Sequence, residues 1–198
     1  MLGFIKDISE NFRRYDKITK MSHILRRYFV MNAFDGALTI FGVLIGGFLA
    51  GIKEPALIVK VGLATSVAVA ISGFTGAFFT EAAERRHELK QIEAAVHRKL
   101  DQTDLQKAYQ FASVITALVD GLSPFLAVLF ILLPFILLPI GLTVHDMYYY
   151  SFGLAIIFFF ILGAFLGKIS KENMITTGLK LVLAGIVCLT IIWFIEKY

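Results

Sequence analysis

Asp35 is the residue in this sequence best placed to do chemistry. It stands about six residues into a long apolar run, roughly 9 Å from the start of that run at the rise of a helix. An aspartate there costs roughly 2.5–3.5 kcal/mol on membrane-insertion scales, so something must offset it. Met31 lies one helical turn before it and Thr39 one turn after, so a thioether, a carboxylate and a hydroxyl share one stripe, with Asn32 beside them. Carboxylate and amide oxygens attract a hard divalent cation, and a thioether adds the softness that suits a transition metal. The pattern predicts a cation path. The competing reading is a carboxylate that snorkels outward or pairs with Arg26, Arg27 or another polar side chain. Asp120 repeats the situation in a later apolar run, just ahead of Pro124. A ligand role fits it, and so does a hydrogen bond at a proline kink or a place near the membrane surface.

A second group of carboxylates occupies a charged segment. Glu81, Glu84 and Glu88 fall on one helical face with His87 at its edge. Glu84-Arg85-Arg86-His87 has the Glu-x-x-His spacing of carboxylate-bridged metal sites in helical bundles. A single copy also reads as a solvated helix whose acids are neutralised by Arg85, Arg86 and Lys90, and a metal site here would need ligands from another helix or another protomer. Gly42 and Gly46, then Gly47 and Gly51, are small-xxx-small pairs, and Ser66, Ser72, Gly73, Thr75 and Gly76 follow in the next apolar run. They predict a close helix interface, within the chain or across a homodimer.

The elements that must hold these residues follow from composition. Of 198 residues, 58% are hydrophobic and 17% charged, and the mean hydropathy is +0.76. Ordinary soluble domains run near 45–50% apolar and about 25% charged, so a soluble domain is excluded and lipid is the expected solvent. The sequence predicts an all-α membrane protein with five transmembrane helices over about 29–50, 57–79, 111–138, 148–166 and 174–194. An amphipathic amino-terminal helix, interfacial in character, is expected within 1–28, and a charged cytoplasmic helical insert over 80–110. Pro124 and Pro134 are the expected kink points of the third span. Asp35-Gly36 is echoed by Asp120-Gly121, and Gly76-Ala77-Phe78 by Gly163-Ala164-Phe165. Both a parallel repeat and coincidence account for so short an echo.

Charge sets the expected orientation. Lys and Arg crowd into 1–28, into 80–110 and into the turn that carries Lys168 and Lys171, whereas the opposite side has only Lys53 and Lys197 outside the spans. The positive-inside rule then puts the amino terminus and the insert in the cytoplasm and the carboxyl terminus outside a cell membrane. The net charge of +4 faces anionic headgroups; basic and aromatic residues do not interleave as a nucleic-acid module requires. Cys188, the sole cysteine, excludes an intrachain disulfide and a cysteine-cluster metal site.

Several of these stretches resemble one family. Phe34-Asp35-Gly36-Ala37-Leu38-Thr39, the small-residue second span running into a Glu-rich helix, Leu132-Leu133-Pro134-Phe135 and Gly178-Leu179-Lys180-Leu181 resemble the vacuolar iron transporter family, in its shorter, nodulin-like type and as an archaeal or bacterial member. The resemblance covers about 26–198. It implies five spans, a homodimer whose path is lined by spans one and two, and export of Fe²⁺ or Mn²⁺ from the cytosol in exchange for protons. It matches Asp35 to the path-lining aspartate. Where the family pattern has Ser-Met followed by Gly-Glu-Tyr in span two, this chain reads Ser72-Gly73 and Gly76-Ala77-Phe78, and the metal-collecting helical domain of the plant transporters is shortened.

The expected function is therefore a non-enzymatic, homodimeric transporter of a divalent metal ion, with no tightly bound cofactor. Asp35 would line the path with Met31 or Asn32 as auxiliary ligands, Asp120 is a further candidate, and Glu81, Glu84 and Glu88 with His87 would form the collecting surface. The alternatives are a membrane assembly or sensor protein that keeps the fold without transport, and a membrane protein whose metal site is the carboxylate and histidine group of the cytoplasmic helices.

Overall fold

The computed structural model describes residues 2–137, 141 and 143–197, with side chains described from residue 10 to residue 195 within those ranges. Among the described residues the regular structure is all helix: α1 (Leu2–Thr19), α2 (Met21–Leu49), α3 (Pro55–Val96), α4 (Asp104–Ile131), α5 (Leu133–Leu137), α6 (Val144–Ser170) and α7 (Met174–Lys197). Five of these, α2, α3, α4, α6 and α7, contain stretches long and apolar enough to cross a bilayer. Their outward side chains are apolar as well: Val61, Ile71, Leu126, Ile157, Leu183 and Ile195 are all exposed. In water that surface would drive aggregation; in lipid it is solvated.

Local chemistry explains where the helices stop. Gly51, at φ +68°, ends α2 in a Schellman turn, with Ile52 N–H donating to Gly47 O at 3.0 Å and Gly51 N–H to Phe48 O at 3.1 Å. Pro55 then opens α3 at the position where a missing N–H costs nothing. At the head of α6, Thr143 and Asp146 form a reciprocal capping box. The change from apolar to charged residues after Phe79 does not interrupt the backbone, and α3 continues to Val96 through good helix formers. Of the two prolines expected to kink the third span, Pro124 stays inside α4, and Pro134 is the second residue of α5, just beyond the break at Leu132.

The chain divides into two compact units. One comprises Met1–Phe29 and Ile71–Leu122. Here Tyr15 of α1 packs on Phe111 of α4 with ring centroids 5.3 Å apart, and Arg14 pairs with Asp104. Gly73 of α3 faces Asp120 of α4 so closely that a Cβ would lie 2.9 Å from Asp120 Oδ2.

The other unit comprises Val30–Ala70 and Ser123–Tyr198, and it holds the main apolar core. Ile40, Leu44, Ile131, Leu132, Tyr148 and Phe159 are fully enclosed, and the phenol of Tyr148 donates to Ile52 O at 3.3 Å. The α6–α7 pair packs backbone against backbone. A Cβ on Gly163 would stand 2.6 Å from Thr177 O and 2.7 Å from Gly178 Cα, the close approach that small residues permit between helices in lipid.

Gly36 makes the same demand on α2 and α4. A Cβ there would stand 2.5 Å from both Cα and O of Pro124, and neither backbone can yield cheaply. Gly36→Ala is therefore expected to cost about 1–3 kcal/mol by overpacking. It should appear as a lowered thermal midpoint of the detergent-solubilised protein; an unchanged midpoint would mean that the helices are free to part.

Candidate functional site

The predicted residues occupy two settings. In the core unit, α2 brings Met31, Asp35 and Thr39 to one exposed stripe, with Met31 52% exposed. Buried Ala33, Ala37 and Ile40 take the opposite side of the same turns. The carboxylate thus points away from that unit's core. Among the described residues no hydrogen bond or ion pair reaches it, while its backbone oxygen accepts from Thr39 Oγ1 at 2.7 Å. The arginines considered as partners have other contacts. Arg26 donates from Nε to Ser22 O at 3.1 Å, and the Arg27 guanidinium lies 5.7 Å from the Tyr28 ring centroid. Asn32 is half-buried beside the stripe.

Asp120, by contrast, is 6% exposed and lies against Gly73. A side chain longer than glycine's would collide with the Asp120 carboxylate as it stands, so the small residue in α3 and the acid in α4 fit together.

The α3 carboxylates separate into different environments. Glu81 is 6% exposed. Its Oε2 accepts from Arg85 Nη2 at 3.1 Å, in an i,i+4 ion pair whose two side chains are each 8% exposed. Its Oε1 accepts from the Tyr28 hydroxyl at 3.3 Å. The Arg85 guanidinium also lies over the Tyr109 ring, 5.5 Å from the centroid. Glu84 and Glu88 are exposed, and with Glu81, Arg27, Arg85 and Tyr109 they line a polar cavity of about 200 Å³. His87 is exposed and is not part of that lining; its Nε2 lies 3.0 Å from the side-chain nitrogen of Gln91. Among the described residues of one chain, no group of three or more His, Cys, Asp or Glu is disposed to hold a metal ion.

Arg85 and Tyr28 are the participants that sequence reasoning missed. Arg85 was counted among the solvated bases, although Phe78, Ala82 and Leu89 at helical spacing put it on the apolar side of α3. That spacing is the signal that could have found it.

Five membrane-length helices, an apolar exterior and carboxylates within the apolar runs define a multi-pass helical membrane protein. The sequence profile of the VIT family matches residues 26–111. An uncharacterized protein of Methanocaldococcus jannaschii is 33% identical over 174 residues, covering 86% of this chain and 88% of that relative. The chain belongs to the VIT family. At the level of the family it is a membrane metal transporter rather than an enzyme.

Proposed function

We propose that this protein is a homodimeric carrier that moves Fe²⁺ or Mn²⁺ out of the cytosol in exchange for protons, along a path lined by spans one and two of both protomers. The observation that carries the proposal is the Met31, Asp35 and Thr39 stripe, exposed within an apolar helix. A carboxylate left facing lipid is costly; a second copy of the stripe across a two-fold axis would remove it from lipid and face it with another carboxylate. Two facing acids repel unless a cation or protons stand between them. A divalent metal ion and protons then compete for the same basic oxygens, which is the physical basis of exchange.

In this reading Met31 and Asn32 are auxiliary ligands to the passing ion, and Glu84 and Glu88 attract it to the charged end of α3. The amino terminus faces the cytoplasm, in accord with the distribution of Lys and Arg. The test is metal-resolved uptake into proteoliposomes with a pH dye inside. Fe²⁺ or Mn²⁺ flux accompanied by proton movement, and lost in Asp35→Ala, is the expected result; an Asp35→Ala protein as fast as its parent would overturn the assignment. A second reading, a non-transporting assembly or sensor protein that keeps the fold, rests on Gly73 and Ala77 standing where the resembled family pattern has Met and Glu. It predicts neither flux nor metal binding in the same assay.

A further inference from the structure

A second cavity, of about 340 Å³, opens between α3 and α4 where both helices pass from apolar to charged sequence. Its walls come from one stripe of each helix and differ in kind along their length. Phe78 and Val114 line it from within the apolar runs, whereas Arg85, Arg86, Gln106 and Gln110 line it from the charged side. The charges on its polar side do not cancel. Arg85 is more than nine-tenths buried and spends one Nη on Glu81, yet its Nε has no hydrogen-bond partner among the described residues. That N–H is shut off from solvent as well, so contact with a ligand in the cavity falls to the exposed residues. Arg86 is exposed and has no ion pair among the described residues. With Arg85 and Glu81 neutralising each other, the cavity keeps the positive charge of Arg86.

We propose that this cavity is a binding site for an anionic phospholipid, with the headgroup phosphate held by Arg86 and Gln110, and an acyl chain laid along Phe78 and Val114. The shared chemistry of candidate ligands is a phosphate-bearing anion. The apolar walls select the lipid over free phosphate, since inorganic phosphate would leave Phe78 and Val114 facing water or another lipid. Basic pockets beside membrane helices are suited to anionic headgroups because the low-dielectric wall strengthens the charge–charge attraction. The proposal does not depend on metal transport.

The test uses the full-length protein in detergent, with native mass spectrometry of lipid retained after adding phosphatidylglycerol or phosphatidylcholine of the same chain length. The parent should retain phosphatidylglycerol preferentially, and excess inorganic phosphate should not displace it. Arg86→Gln, an exposed position that leaves the Glu81–Arg85 pair in place, should lower retention about fivefold. Lys90→Gln, an exposed cation of the same helix outside the cavity, should leave it unchanged. Equal retention of both lipids, displacement by phosphate, parental retention in Arg86→Gln, or an equal loss in Lys90→Gln would each overturn the proposal.

Discussion

Asp35→Asn is expected to lower metal flux into proteoliposomes by roughly 10–100-fold, while leaving the thermal midpoint of the protein unchanged or raised. The first half follows from what the substitution removes. An amide keeps the shape and the oxygen of the side chain but loses the charge that attracts a divalent ion, and even outer groups that only tune a metal ligand are worth about 10–100-fold. The second half follows from where the residue stands. Its carboxylate has no partner among the described residues and lies on the exposed stripe of α2, so its charge works against folding rather than for it, and neutralising it relieves part of the roughly 2.5–3.5 kcal/mol that an aspartate costs within a span. Lost activity with retained stability is the signature of a residue kept for function. Parallel losses of both would instead make Asp35 a structural group whose partner is supplied on assembly.

Glu81→Ala should have the opposite profile, with stability falling first. Removing one member of a buried ion pair strands the other, at a cost of about 3–5 kcal/mol, and here the stranded group is Arg85, whose side chain is 8% exposed. Tyr28 would lose its acceptor as well. The double variant Glu81→Leu/Arg85→Met should recover most of that loss, because apolar groups of similar size avoid the desolvation of both charges. Glu84→Ala and Glu88→Ala, at exposed positions, should barely move the midpoint. Thermal denaturation of the four variants in one detergent decides the matter. A Glu81→Ala protein as stable as Glu84→Ala would mean that Glu81 is free to serve the passing ion, and its role in metal collection would then equal that of its neighbours.

The membrane helices were legible because two requirements coincide in lipid: a span must be apolar, and it must satisfy its own backbone. Hydropathy and length report both. Their ends were less legible. The boundary drawn after Phe79 marks where the side-chain solvent changes, but backbone hydrogen bonding is indifferent to that change, and Ala, Glu, Arg and Leu carry α3 onward to Val96. Pro124 and Pro134 looked alike in sequence, and tertiary context separated them: Pro124 packs against Gly36 inside a helix, while Pro134 stands in the first turn of α5, where proline is at ease. The two Asp-Gly pairs were equally alike. Asp35 is exposed and Asp120 is enclosed, a difference set by which neighbours fold over each one, and no local pattern contains that. The Glu81–Arg85 pair lay at a spacing that suits many solvated helices; only its burial gives it weight.

The glycine contacts between α6 and α7 bear on how the chain is made. Only Lys171 to Asn173 separates the two helices, and the tight contact of Gly163 with Thr177 and Gly178 lies within a short stretch of chain. Contacts so near in sequence form early. These two helices can therefore associate as a finished hairpin before they find the rest of the protein. Ribosomes stalled after α7 should show this pair already docked, and a bulky residue at Gly163 should leave it undocked at that stage as well as destabilise the mature protein.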